Sequence, residues 1–149
     1  MTQDEIFMNE ALTEAKKAAM VGEVPVGAVV VRDGEIISRG RNSKESRRVA
    51  TGHAEIEAIE EACRVFGSWR LSDCTLYVTL EPCPMCAGAI VNSRIGRVVY
   101  GSADPKAGAM GSVLNFNAYP LNHKPQITSG VLEKDCSAVL SAFFSSKRK

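Results

Sequence analysis

Two short motifs with metal-binding side chains limit the folds open to this chain, because their residues must meet in space to act together. The first is His53-Ala54-Glu55, and the second is Pro82-Cys83-Pro84-Met85-Cys86. Alone, Cys-x-x-Cys also occurs in redox proteins and structural zinc sites, and His-x-Glu can be a carboxylate that interacts with a helix dipole. Each motif stands where a helix is predicted to begin, so we expect a fold that brings two helix starts together.

Hydrophobic spacing and turn residues predict the order of the elements. Thr2 and Glu5 form a capping-box pattern before the first helix, and Asp33-Gly34 is a dipeptide favoured in two-residue hairpin turns. The predicted order is a helix over 4–21, strands over 26–32 and 35–39, a loop over 40–51, a helix ending at Gly67, a strand over 75–80, a helix over 85–91, a strand over 97–101, a loop-rich segment over 103–124 and an amphipathic helix over 132–144.

Strands that alternate with helices after an initial hairpin predict an α/β protein with a mixed sheet covered by helices on both faces, a three-layer α/β/α sandwich. A length of 149 residues, 45% of them hydrophobic, suits one domain over residues 1–149. We expect no repeats and no linker.

The composition bounds the partners and the compartment. A net charge of +1 gives no overall field for nucleic acid or membrane, so any nucleic-acid contact must be local, for example through the basic residues over 39–48 or at the C-terminal tail. The acidic start of the chain and the short apolar run over 26–31 argue against a signal peptide and a membrane span, so we expect a cytoplasmic protein. Cys63, Cys74 and Cys136 are predicted to be buried thiols.

One imidazole and two thiolates form a donor set that suits zinc, so the two motifs predict one zinc ion per chain held by His53, Cys83 and Cys86. Three protein ligands leave the fourth tetrahedral position open, which is typical of a catalytic metal. The alternative is a closed structural site with Cys63 or Cys74 as the fourth ligand.

Glu55 is the predicted general acid and base, because it lies two residues from a ligand and can carry protons to and from a metal-activated water. Two thiolates cancel the charge of zinc and acidify the water less than neutral ligands would, which makes a nearby proton carrier necessary. Glu57 is the competing carboxylate, and we expect it to lie on the surface or to contact His53.

At these residues the chain resembles the cytidine-deaminase-like superfamily, whose H-x-E and P-C-x-x-C signature and zinc chemistry are established. It resembles, more narrowly, the bacterial tRNA-specific adenosine deaminases, and the similarity extends over nearly the whole chain. The segments that carry it are Gly22 to Ala28, His53 to Ile56, Thr75 to Gly88, Ser93 to Gly101, Asp104-Pro105-Lys106, Asn122-His123 and Phe143-Phe144.

The resemblance implies hydrolytic deamination of adenosine to inosine at the wobble position of a tRNA anticodon loop, by attack of zinc-activated hydroxide at C6, and it implies a homodimer. It also implies roles for residues outside the metal site. Asn42 would bind the base; the residues expected to border or hold the anticodon loop are Asp104, Lys106, Asn122, His123, Phe144 and Arg148.

Four departures from the family pattern bear on tRNA binding rather than on zinc chemistry: Gly52 before the ligand histidine, Met110 in a glycine-flanked segment, the stretch from Val113 to Leu121, and Ser145-Ser146 in the last helix. Two other functions stay open. A small-molecule deaminase acting on guanine, cytosine or cytidine could use the same metal and glutamate. A non-catalytic zinc module that binds nucleic acid is the third reading, although the near-neutral charge and open metal position disfavour it.

Overall fold

A five-stranded mixed sheet forms the centre of the protein, and a computed structural model describes residues 1–147. In chain order the elements are α1 (Gln3–Met20), β1 (Gly27–Arg32), β2 (Glu35–Arg41), α2 (Lys44–Arg47), α3 (Ala54–Phe66), β3 (Cys74–Leu80), α4 (Pro84–Ser93), β4 (Arg97–Ser102), a 3-10 turn (Phe116–Ala118), β5 (Gln126–Ser129) and α5 (Glu133–Lys147).

The strand order is β2-β1-β3-β4-β5, with β1 antiparallel to both neighbours and β3, β4 and β5 parallel. Successive residues of each central strand point to opposite faces of the sheet. Thus Val30 and Leu76 pack in the core with α3 and α4, whereas Val29 and Tyr77 pack in the core with α1 and α5. The predicted α/β/α sandwich is confirmed.

The first helix and the hairpin follow their local sequence signals. The Thr2 hydroxyl accepts from the backbone of Glu5, and the Glu5 carboxylate accepts from the backbone of Thr2, so the capping box is present. Asp33 and Gly34 have φ values of 52° and 76°, the left-handed pair that a two-residue type I′ turn requires.

Three elements differ from the sequence-based prediction. Within the segment predicted as a loop over 40–51, β2 continues to Arg41, which pairs with Gly27, and the short helix α2 follows. The strand β5 was not predicted, because its four residues carry no fully buried side chain and hence no alternating pattern.

Cys74 and Cys136 are buried as expected, but Cys63 is only partly buried, so that prediction was wrong for Cys63.

Helix α3, which carries the first motif, lies unusually close to the sheet at Gly40. A Cβ atom built on Gly40 would lie 2.2 Å from the carbonyl oxygen of Ala54 and 2.7 Å from the backbone nitrogen of Ala58. Because no side chain fits there, Gly40 sets the distance between β2 and the start of α3.

Among the described residues, no helix combines the length and the apolar character that crossing a membrane requires.

We predict that Gly40→Ala destabilises the fold by about 1–3 kcal/mol, because the added methyl group must push α3 away from β2. Gly88→Ala is the matched control: Gly88 lies inside α4 with no atom within 4 Å of a built Cβ, so alanine should raise stability by about 0.5–1 kcal/mol. Urea unfolding at matched protein concentration measures both. Equal stability of Gly40→Ala and wild type would contradict the close packing.

Candidate active site

Three side chains with metal-binding atoms meet where α3 and α4 begin. His53 is the N-cap of α3, Cys83 is the N-cap of α4, and Cys86 lies in the first turn of α4. The Nδ1 atom of His53 lies 3.6 Å from the Sγ atom of Cys83 and 3.5 Å from that of Cys86. The ligand atoms of all three residues lie within 4.8 Å of one another, so one ion can contact all of them.

The electrostatics of the cluster favour a cation. The hydrogen bond from the Cys86 thiol and the nearby His53 ring lower the pKa of Cys83 to about 4, although partial burial opposes the shift. The same hydrogen bond, together with burial, raises the pKa of Cys86. A divalent cation held by both sulfurs would bind them as thiolates and release the proton of any thiol that is still protonated. The positive end of α4 also favours a thiolate at Cys83.

The donor set fits zinc as an open, three-ligand site. One imidazole and two thiolates are ligands that zinc prefers. Within residues 1–147, the cluster contains no fourth side chain of a metal-binding type. Cys74 begins β3, whose other end leads to Cys83, and the Cys63 thiol faces the Trp69 carbonyl. This arrangement disfavours the closed structural site that the sequence left open.

Glu55 lies in the first turn of α3 and is only 4% exposed. Burial raises the pKa of its carboxyl to about 7. It lines the pocket beside His53 and Cys83, hereafter the substrate pocket. A carboxyl that titrates near neutral pH at the edge of a metal cluster can both take and give a proton there.

Glu57 faces away from this chemistry. Its Oε2 atom accepts hydrogen bonds from the Ser43 hydroxyl and from the Arg47 guanidinium, the latter at 3.2 Å. It therefore links the segment containing α2 to α3, and its carboxylate forms no hydrogen bond with the His53 side chain. This placement agrees with the expected surface position of Glu57. It does not agree with the alternative, a contact of its carboxylate with His53.

Asn42, to which the family resemblance assigns base binding, lines the substrate pocket. Its backbone N–H donates to Val26, but its side-chain Oδ1 atom is buried without a hydrogen-bond partner among the described residues. A buried acceptor with no partner costs free energy, and native proteins rarely leave one unless a ligand satisfies it. The amide of Asn42 is therefore available to a polar group that enters the pocket.

The remaining predicted binding residues fall into two groups. Asp104 lines both the substrate pocket and a neighbouring cavity. Lys106 and Phe144 line that second cavity, and Phe144 is 43% exposed. Asn122 is exposed, and His123 hydrogen-bonds through Nε2 to the carbonyl of Ile95 at 2.6 Å, at the opposite end of α4 from Cys83. Arg148 lies outside the described residues.

Several residues that shape the site were not predicted as site residues. Val24, Lys44 and Leu80 line the substrate pocket without belonging to either motif. Glu23 and Glu81 are buried carboxylates that bind the backbone of neighbouring loops. In a sequence such a carboxylate looks like any surface glutamate, although Glu81, between an apolar strand and Pro82, stands at a position where burial is expected.

Two of the departures from the family pattern are structurally accommodated. A Cβ on Gly52 would lie 2.9 Å from the backbone nitrogen of Lys44, so glycine permits the chain before His53 to pass close to α2. Met110 is 4% exposed and packs in the core under the α3 and α4 face. Neither residue disturbs the metal cluster.

The MafB19-like deaminase family model matches residues 2–145. The tRNA-specific adenosine deaminase of Bacillus subtilis is 54% identical over 150 residues, which cover 100% of this chain and 93% of that protein.

Solved structures agree in fold. One from a study of A-to-I editing by tRNA:A34 deaminases at the wobble position superposes with a TM-score of 0.88 at 46% identity, covering 91% of this chain and 99% of the other. A guanine deaminase from Nitrosomonas europaea superposes with a TM-score of 0.80 at 24% identity, covering 95% and 84%, which shows a shared fold alone. The family model, the full-length identity and the wobble-editing structure agree, and the chain belongs to the MafB19-like deaminase family and, within it, to the tRNA-specific adenosine deaminases.

Proposed function

We propose that this chain is a zinc-dependent enzyme that converts adenosine to inosine at the wobble position of a tRNA anticodon loop. The observation that carries the proposal is the cluster of His53, Cys83 and Cys86 beside the buried Glu55, in a chain 54% identical over its full length to a tRNA-specific adenosine deaminase. The reaction replaces the exocyclic amine at C6 of adenine by oxygen from water and releases ammonia.

In this proposal His53, Cys83 and Cys86 would hold the zinc ion, which would supply Lewis-acid activation of the attacking water. Glu55 takes one proton from the water and delivers it to the ring nitrogen next to C6. It then moves the proton of the hydroxyl group added at C6 to the amine, which leaves as ammonia while the carbonyl of inosine forms. A pKa of about 7 suits both directions of transfer at neutral pH.

The walls of the pocket select and orient the base. The unpartnered Oδ1 atom of Asn42 can accept a hydrogen bond from a base N–H group. A flipped base reaches such a pocket most cheaply from a single-stranded loop, where little stacking must be broken. The exposed ring of Phe144 and the side chain of Lys106 border the adjoining cavity, where a neighbouring base can stack and a phosphate can bind. Asp104, shared by both cavities, would orient the loop.

A homodimer completes the proposal. Asn122 and His123 lie away from their own pocket, so we assign them to RNA contacts made with the partner's bound loop. An exposed apolar patch next to them supports pairing with a second copy, since such patches mark protein interfaces. Its residues are Leu114, Phe116, Tyr119, Pro120 and Leu121.

A small-molecule deaminase is the second candidate function. The observation that favours it is the shared fold with a guanine deaminase, which shows that this architecture also serves a free base. A non-catalytic zinc module is disfavoured, because the three-ligand cluster opens on a pocket that contains a buried proton carrier.

We predict one zinc ion per chain in the purified protein, and loss of both zinc and deamination in Cys83→Ala and Cys86→Ala. Cys63→Ala is the control, because Cys63 lies outside the cluster and should keep full zinc and activity. Metal analysis by mass spectrometry measures the stoichiometry. Full zinc and turnover in either cluster variant would show that the ligand assignment is wrong.

Glu55→Ala should keep zinc and lose about 10²–10⁴-fold in turnover, because it removes the proton carrier and leaves the ligands in place. Glu57→Ala should lose no more than about tenfold, equivalent to roughly 1.4 kcal/mol, since its partners are Ser43 and Arg47. Ammonia release and zinc content are measured together for both variants. If Glu57→Ala alone abolished turnover with zinc intact, the two roles would have to be exchanged.

The substrate comparison separates the two candidate functions. An anticodon stem-loop with A at the wobble position should be deaminated to inosine, whereas the same loop with G there should not react. Free adenosine, guanine, cytosine and cytidine should be poor substrates, because contacts with the rest of the loop help to position the reacting carbon. Ammonia and inosine are followed in parallel. Faster turnover of a free base or nucleoside than of the A-bearing loop would favour the small-molecule function.

A further inference from the structure

Two carboxylates that the chemistry does not use are almost completely buried. Glu23 is 1% exposed and Glu81 is 2% exposed. Within residues 1–147 neither forms an ion pair with a lysine or arginine. A buried carboxylate without a cation is costly unless hydrogen bonds satisfy its oxygens. Hydrogen bonds must therefore stabilise both carboxylates in place of a cation.

Glu81 binds the backbone of one loop. Its Oε1 atom accepts from the N–H of Asp104 at 3.1 Å and from the Ser112 hydroxyl, and its Oε2 atom accepts from the N–H groups of Met110 and Ser112 at 2.9 Å and 3.1 Å. The loop also wraps closely around the carboxylate, because a Cβ on Gly108 would lie 2.3 Å from its carboxyl carbon. The Glu81 side chain thus holds residues 104–112 together, and we call this segment the 104–112 wall.

This wall is part of the substrate pocket. Asp104 and Ala107 line the pocket together with Cys83, which follows Glu81 by two residues. The Pro82 carbonyl also accepts from the N–H of Ala109 at 2.9 Å. Glu81 borders the pocket as well, but its oxygens are already engaged by four donors. Its position therefore fixes the distance between the 104–112 wall and the start of α4.

Glu23 binds a second segment in the same manner. Its Oε1 atom accepts from the N–H of Glu45 at 3.1 Å, and its Oε2 atom accepts from both the N–H and the hydroxyl of Ser46. The segment 42–47, the 42–47 wall, contributes Asn42 and Lys44 to the substrate pocket. A carboxylate is the only side chain that can accept from three or four donors at one point without offering a donor of its own.

We propose that Glu23 and Glu81 are positioning residues, each of which fixes one wall of the substrate pocket relative to the metal ligands. Every hydrogen-bond partner of the two carboxylates is a backbone N–H group or a serine hydroxyl, so both side chains act as acceptors. The effect on turnover rests on the function proposed above, whereas the effect on the walls does not.

The test uses the full chain with Glu81→Gln and Glu23→Gln. Glutamine keeps the size of the side chain but replaces one acceptor oxygen by an NH₂ group, which faces an N–H donor. Hydrogen exchange followed by mass spectrometry should show faster exchange over 104–112 in Glu81→Gln and over 42–47 in Glu23→Gln, each without change in the other wall. Zinc content should equal that of wild type in both.

Kinetics on the A-bearing stem-loop supply the second measurement. Each variant should lose about tenfold to hundredfold in kcat/KM, mainly through a higher KM, since the walls hold the base and do not transfer protons. Glu14→Gln is the matched control. Glu14 is also buried, but it belongs to α1, on the face of the sheet opposite α3, and it forms ion pairs with Lys17 and Arg39. The value of kcat/KM should therefore not change in this variant. Ser112→Ala, which removes one of the four donors and keeps the carboxylate, should give a smaller change of the same kind.

Three results would overturn the proposal: unchanged exchange in both walls, faster exchange spread evenly over the chain, or a fall in kcat with KM unaltered. If a glutamine variant failed to fold, Ser112→Ala would decide the case for the 104–112 wall, and unaltered exchange and KM in that variant would overturn it. If hydrogen exchange became faster only in the expected wall, but wild type did not deaminate the stem-loop, the proposed substrate would be wrong. The proposal that the two glutamates fix the walls would still be supported.

Discussion

The convergence of two helix N-termini beside one end of β3 is the constraint on which the site depends. His53 and Cys83 are the N-caps of α3 and α4, so their side chains leave the backbone at the point where each helix begins. Their ligand atoms come within 4.8 Å of one another only because α3 packs against β2 at Gly40 and β3 leads directly into α4. A metal ion would then join two helix starts whose ligand residues, His53 and Cys83, are 30 positions apart in the sequence. The pocket and the burial of Glu55 follow from the same geometry.

The sequence predicted the parts of the fold that local physics decides. The capping box at Thr2, the turn at Asp33-Gly34 and the helices that begin after His53 and Cys83 each have a local signal, and the structure contains all of them. The metal cluster could also be predicted, because the identity of its residues limits the chemistry even before distances are known.

What the sequence did not predict depends on tertiary contacts. The short helix α2 is bound by the buried carboxylate of Glu23, which is distant in sequence, and β5 is ordered by parallel pairing with β4. Neither has a hydrophobic period of its own. The hydrogen-bond partners of Glu57 and Glu81 could not be predicted for the same reason: a glutamate has the same local sequence pattern whether its carboxylate contacts water or a loop backbone. The proposed RNA-contacting residues came from family resemblance, because an exposed aromatic or lysine side chain carries little information by itself.

The anchoring of the two walls has a consequence for how this fold can diversify. Glu81 holds its loop mainly through peptide N–H groups, which every residue type except proline provides, so the path of the loop is independent of most of its side chains. Exposed positions such as 105, 106 and 107 can therefore vary freely while the backbone stays in place. Selection, natural or in the laboratory, could change which nucleobase is accepted by exchanging a few side chains, while the backbone that positions His53, Cys83 and Cys86 stays the same.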